Sequence, residues 1–155
     1  MSEVNRSGVE RRSQSQSDIN SLVMSRSDTL SLYTDLAAHR PYSLDGEFPD
    51  ELRRFCQALI DYTASAHFQL YQHLDENKER RKVVLSVADE VYEEIIKTTD
   101  LILTFNDRYG ADADIEAHMG HVEHDLSVLG EALADRIQNE DRIIEAMMNE
   151  RRRSA

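Results

Sequence analysis

Between Leu52 and Leu74 the positions Leu52, Cys56, Leu59, Thr63, Ala66, Leu70 and Leu74 recur in steps of three and four. That spacing holds one stripe of an α-helix against neighbouring helices and does not fit the two-residue period of a strand. The same helix carries exceptions on both faces. At about 100° per residue, Phe68 projects roughly 140° away from the stripe, beside Asp61, Ser65 and Gln72 on the solvent side. His67 falls next to the core stripe, so an aromatic is expected outside and a polar ring inside.

Three further segments repeat the pattern. Ile19, Val23, Arg26, Leu30, Tyr33 and Ala37 form a first stripe, opened by Asp18 as N-cap and closed before Pro41. It is weak, because five serines between Ser17 and Ser31 compete for backbone hydrogen bonds. A third helix is predicted from Lys82 to Phe105, with Val84, Ala88, Val91, Ile95, Thr98, Ile102 and Phe105 on one face. NDRYGADA breaks it, with Gly110 as C-terminal cap and Asp112 or Asp114 as the next N-cap. The last helix is the longest, and Ile115, Met119, Val122, Leu126, Leu129, Leu133, Arg136, Glu140, Ile143 and Met147 share its stripe. Arg136 and Glu140 therefore stand where apolar residues belong. Pro49 and Asp50 start the second helix, and DENKERR after it reads as a solvated turn.

With five Gly and two Pro in 155 residues, the chain is expected to be all-α, an antiparallel four-helix bundle over residues 18–150. Residues 1–17 hold only two aliphatic side chains past the initiator and are expected to be a disordered tail; 151–155 form a basic C-terminal tail. The formal charge is −12, and it is concentrated in the body. Six of the 18 basic residues but only two of the 30 acidic ones lie in the first 13 and last five positions, leaving 14–150 near −16. Direct nucleic-acid binding is disfavoured, since phosphates require cations; a basic protein partner suits this surface. The single cysteine, Cys56, lies on the core stripe as an inert thiol. No apolar run has signal-peptide or membrane-span length, so a cytoplasmic protein without membrane attachment is expected. Phosphate-loop and nucleophile-elbow patterns are absent, which favours a binding protein over an enzyme.

Three groups of residues stand out. The interior group is Arg26, His67, Arg136 and Glu140, with Thr63 beside them; buried ions need partners, so the plain reading is a satisfied polar layer that fixes helix register. A metal centre is the sharper reading, since carboxylates and histidines facing a bundle interior hold di-iron sites. It lacks ligands, because Tyr71 rather than Glu follows His67 at four residues and Arg136 would repel a cation. The second group, His118, His121 and His124, fans over about 120° of helix and cannot converge on tetrahedral zinc. No metal or cofactor is expected. The third is the exposed ridge of Asp61, Ser65, Phe68 and Gln72, either an ordinary surface or an aromatic anchor rimmed by carboxylate.

The stretches FCQALIDYTASAHFQLYQ and LSVLGEALADRIQNEDRII carry Phe55, Cys56, Gln57, Asp61, Tyr62, His67, Phe68 and Tyr71, then Gly130, Glu131, Leu133, Arg136, Glu140 and Asp141. As a set they resemble the Rsd/AlgQ family of bacterial anti-sigma regulators, over roughly residues 18–150. Ala66, Gln72 and a first helix without tryptophan depart from the family pattern. The resemblance implies a four-helix bundle that binds the C-terminal, promoter-reading domain of the primary sigma factor and sequesters it from polymerase, with Asp61, Ser65, Phe68 and Gln72 on the contact face. A monomer or weak dimer is expected. The alternatives are a degenerate hemerythrin-like metal-binding bundle and a regulator of some other basic protein.

Overall fold

The computed structural model describes residues 3–71 and 82–154, and within them the side chains of 16–71 and 82–149. The described residues are helical and contain no strand: α1 (Glu3–Ala37), α2 (Phe48–Ala66), a π-helical turn (His67–Tyr71), α3 (Lys82–Tyr109), a 3-10 turn (Ile115–His121) and α4 (Val122–Ser154). α1 is helical back to Glu3, and among the described side chains its first buried one is Ile19, close to the boundary expected at residue 18. α4 runs on through residues 151–154 of the basic C-terminal segment. Gln72, Leu74 and the DENKERR segment lie outside the described residues.

Side-chain contacts fix the directions. Thr29 donates to the Ala58 carbonyl and the Tyr33 ring meets Phe55, so α1 and α2 run antiparallel. Phe55 meets Phe105 edge-on while Tyr71 and Ala88 line one cavity, which makes α2 and α3 antiparallel. Arg136 reaches Thr98 and Arg108 reaches Asp125, so α3 and α4 are antiparallel too. The result is an up-down-up-down bundle, the arrangement that short connections favour.

All seven predicted core positions of α3 are buried, and of the ten on the last stripe only Met119 is half-exposed. α1 differs. Ile19, Leu22, Thr29 and Leu36 are buried, whereas Val23 and Ala37 are exposed and Leu30 is half-exposed. The seam takes a step of three after Ile19 where the reading took four, and both series share residues 19, 26 and 33. The mid-seam Thr29 keeps its hydroxyl satisfied by Ser25 and Ala58 carbonyls. In α2, Thr63 is half-buried and donates to the Leu59 carbonyl. Cys56 is buried, and burial pushes its thiol up to about 12.

The two later helix ends also depart from expectation. α3 continues four residues past Phe105, because Tyr109 is itself buried against Phe105. Gly110 does not cap it in a left-handed conformation; a Cβ there would lie 2.5 Å from the Asn106 carbonyl oxygen, to which the Gly110 N–H donates at 2.7 Å. The stretch before α4 is 3-10, with Asp114 at its N-cap position.

Gly130 answers a second close approach. Tyr33 crosses from α1 and donates to the Leu126 carbonyl at 2.7 Å, and a Cβ at 130 would lie 2.2 Å from that hydroxyl oxygen and 2.8 Å from the ring carbon bearing it. Gly130→Ala gains about 1 kcal/mol of helix propensity. It loses about 1–3 kcal/mol to overpacking and about 1 kcal/mol with the hydrogen bond. We therefore expect a net destabilisation of about 1–3 kcal/mol by urea denaturation. A neutral or stabilising result would mean that Tyr33 swings aside freely.

Candidate functional site

Arg136 and Glu140 sit one turn apart on the inner face of α4, 1% and 0% exposed. A buried ion costs several kcal/mol unless its charge and hydrogen-bonding positions are matched. Here the neighbouring helices supply most of the match, and Arg136 Nε, which makes no hydrogen bond, faces the Glu140 charge. Arg136 Nη1 donates to Thr99 Oγ1 at 2.8 Å and to Thr98 Oγ1 at 3.1 Å, while its Nε lies 3.3 Å from Glu140 Oε2. Glu140 accepts the Tyr62 hydroxyl on Oε1 and the Tyr71 hydroxyl on Oε2, the latter at 2.9 Å. Arg26, 13% exposed, holds Asp141 at 2.8 Å and approaches Glu140 Oε1 at 3.7 Å. The guanidinium carbon of Arg136 also lies 5.6 Å and 5.8 Å from the centres of the Tyr62 and Tyr71 rings. All four helices and the π-helical turn thus meet at one carboxylate–guanidinium pair.

The electrostatics keep the two phenols and Arg136 in their bonding forms. Burial and then the Glu140 charge raise both Tyr62 and Tyr71 above ordinary tyrosine, so the hydroxyls stay protonated donors. Burial acts to lower Arg136, but Tyr62, Glu140 and Tyr71 outweigh it and hold the guanidinium charged. A smaller network closes the other end of the bundle. Asp125 accepts Tyr109 Oη at 2.6 Å and Arg108 Nη1 at 2.9 Å; burial acts to raise its carboxyl, and these two hydrogen bonds more than compensate.

Arg26, Arg136 and Glu140 are brought together as the spacing predicts, but His67 is not part of this layer. It is exposed, its ring edge-on to Phe68 at 5.3 Å. The cause lies in the helix before it: the buried residues Leu52, Phe55, Leu59, Tyr62 and Ala66 centre the inner face of α2 roughly 100° away from His67. Tyr71 takes the interior place instead. On an unbroken helix it points about 100° from Leu52, off the stripe. A turn closed by i→i+5 bonds advances less per residue, and over five residues the lag carries Tyr71 inward. Tyr62 was legible in principle, seven residues after Phe55 and four before Ala66, both buried. The hemerythrin-like alternative loses its histidine with His67, and the oxygens of Glu140 are already engaged by two phenols and a guanidinium. Among the described residues no group of three or more His, Cys, Asp or Glu is placed to hold a metal. His118 packs on Tyr109, while His121 and His124 are exposed.

On the outer face of α2, Asp61 and Ser65 precede Phe68 at spacings that share a ridge. Asp61 is exposed and accepts Gln57 Nε2 at 3.0 Å; Ser65 donates to Gln69 at 2.9 Å. Phe68 is 62% exposed. Gln72, the fourth residue expected there, lies outside the described residues.

Two outcomes follow for the buried pair. Arg136→Met should destabilise the fold by about 3–5 kcal/mol in denaturant titration, and adding Glu140→Leu should recover much of that by removing the stranded carboxylate. Recovery of none would mean that the pair is not the coupled unit described. Tyr62 and Tyr71 have folded values raised above an unfolded value of 10.0, so their stabilisation is complete below pH 10 and lost as pH rises further. Cys56, Tyr33 and Tyr109 are raised as well, so the two phenols are read by difference: above pH 10 the stability of the parent should fall up to about 3 kcal/mol per pH unit more steeply than that of a Tyr62→Phe, Tyr71→Phe double variant. A slope difference of a single proton would exclude one of the two.

The family described as "Regulator of RNA polymerase sigma(70) subunit, Rsd/AlgQ" matches residues 1–148. A protein named Regulator of sigma D from Pectobacterium atrosepticum is 31% identical over 129 residues, covering 81% of this chain and 84% of its own length. The protein of the same name from Pectobacterium carotovorum subsp. carotovorum is 30% identical with the same coverage. The one from Yersinia enterocolitica is 30% identical over 95 residues, 61% of this chain and 57% of its own length. No solved structure matches the chain. Among the described residues no helix is long and apolar enough to cross a membrane. With a match that spans the bundle and both sequence stretches that build its interior layer, the chain belongs to the Rsd/AlgQ family, the regulators of the RNA polymerase sigma(70) subunit.

Proposed function

We propose that the chain is an anti-sigma regulator that binds the C-terminal, promoter-reading domain of the primary sigma factor with the outer ridge of α2 and sequesters it from polymerase and promoter. The observation that carries this reading is Phe68, a large aromatic 62% exposed beside the Asp61 carboxylate on a chain of net charge −12. An aromatic that seats in a pocket supplies affinity, and surrounding carboxylates select a basic surface and speed encounter. A helix-turn-helix promoter reader presents such a surface, since it must meet phosphate. Covering it competes directly with DNA, so binding alone accomplishes the regulation and no catalytic step enters.

In this reading Asp61, Ser65, Phe68 and Gln72 touch the partner, and the Arg26–Arg136–Glu140 layer supports them from inside the 18–150 body. The complex forms from a monomer or weak dimer, without nucleic acid.

Calorimetric titration with the isolated C-terminal domain of the primary sigma factor should give one-to-one binding that weakens as salt rises, because rim charges are screened over about 8–10 Å. Phe68→Ala should lower affinity by at least about 2 kcal/mol, the loss expected of an interface anchor. The thermal transition should not move, since the ring packs on no core. Unchanged affinity would remove Phe68 from the contact face, and absence of a complex at micromolar concentrations would point to a different basic partner.

A further inference from the structure

An α-helix continued through residue 71 would leave Tyr71 on the flank of α2, unable to reach the bundle centre. The π-helical turn His67–Tyr71 changes this, and single π-helical turns are frequent at functional sites. At its inner end Tyr71 is buried and bonded to Glu140 Oε2 at 2.9 Å. At its outer end, within the same five residues, Phe68 is exposed with His67 set edge-on against its ring. The widened turn costs backbone regularity, and its last residue is held inward by the hydrogen bond to Glu140, with the Arg136 guanidinium 5.8 Å from the centre of the Tyr71 ring.

We infer that Tyr71 is a positioning residue for partner binding: its hydrogen bond to Glu140 locks the π-helical turn and so holds Phe68 in the orientation that engages sigma. The inference rests on the proposal that Phe68 contacts the sigma domain, and adds a residue that touches no partner. It also gives the buried pair a second role. Glu140 receives one phenol from α2 proper, Tyr62, and one from the π turn, Tyr71, so the same carboxylate ties the straight helix and the irregular turn to α4.

That symmetry supplies the control. Tyr62→Phe and Tyr71→Phe each remove one hydroxyl from the same carboxylate, and each leaves a cation near the vacated oxygen, Arg26 on Oε1 and Arg136 on Oε2. One hydrogen bond is a small fraction of the stability of a domain this size, so both variants should remain folded and lose similar stability in urea. Binding should separate them. Against the isolated C-terminal sigma domain, Tyr71→Phe should weaken affinity about tenfold, the equivalent of one hydrogen bond, while Tyr62→Phe stays within about twofold of the parent. Amide exchange at residues 67–71 should accelerate in Tyr71→Phe alone. In a Phe68→Ala background Tyr71→Phe should cost no further affinity, because the ring it positions is gone.

Equal effects of the two phenylalanine variants on binding and exchange would overturn the inference and leave Tyr71 a plain stability contact. If Phe68→Ala weakens binding but Tyr71→Phe does not, the contact face stands and the positioning role fails. If Phe68→Ala binds like the parent, the contact face fails and the positioning role falls with it.

Discussion

The bundle depends on a charged pair placed where its own sequence period calls for hydrocarbon. Arg136 and Glu140 are one turn apart on α4, and neither can be buried unless other helices meet them with donors and acceptors in register. Thr98 and Thr99 on α3, Tyr62 on α2, Tyr71 on the π turn and Arg26 on α1 do so. A slide of any helix by one turn, about 5.4 Å, would break these bonds and strand an ion. Apolar stripes alone tolerate such slides at modest loss; this layer does not.

That constraint explains which parts of the fold were legible. In α3 and α4 nearly every stripe position is buried, so period and burial agree, although α3 also exposes Ile96, Leu101 and Leu103 on other faces. The same stripe exposed Arg136 and Glu140 as interior ions, because charge at a core position is the strongest departure a helical pattern can show. In α1 the apolar residues come in adjacent or near-adjacent pairs, Leu22 with Val23 and Leu36 with Ala37, and both seams satisfy the three-four spacing. Packing against α2 through Thr29 selects one, and that is tertiary information.

The errors in the interior layer have two origins. The buried face of α2 is centred nearer Leu59, Tyr62 and Ala66 than the seven-position stripe, which leaves His67 outside; and periodicity assumes a constant advance per residue, which the π turn violates over five residues, bringing Tyr71 in. No spacing rule marks such a turn. The pairing of an aspartate–tyrosine with a histidine–phenylalanine and a following tyrosine was visible only as a resemblance, and its meaning emerges once the two tyrosines converge on Glu140. Gly130 is similar: its sequence position says nothing of Tyr33, which reaches it from another helix almost a hundred residues away.

A purely apolar layer would in general be as stable or more so, since replacing buried ion pairs by packed hydrocarbon is often stabilising. Retaining the pair therefore calls for a reason beyond stability. The geometry offers one: the carboxylate is where an irregular turn, the one proposed to face the partner, is fastened to the straight helices. An apolar side chain at 140 could fill the same volume but would accept no hydrogen bond from Tyr71, and the buried phenol would then favour the regular helix that returns it to solvent. Register among the helices and the attitude of the binding face are in this way set by the same two oxygens. In the proposed function the acidic surface decides the kind of partner the chain attracts, and the interior pair decides how Phe68 is presented to it.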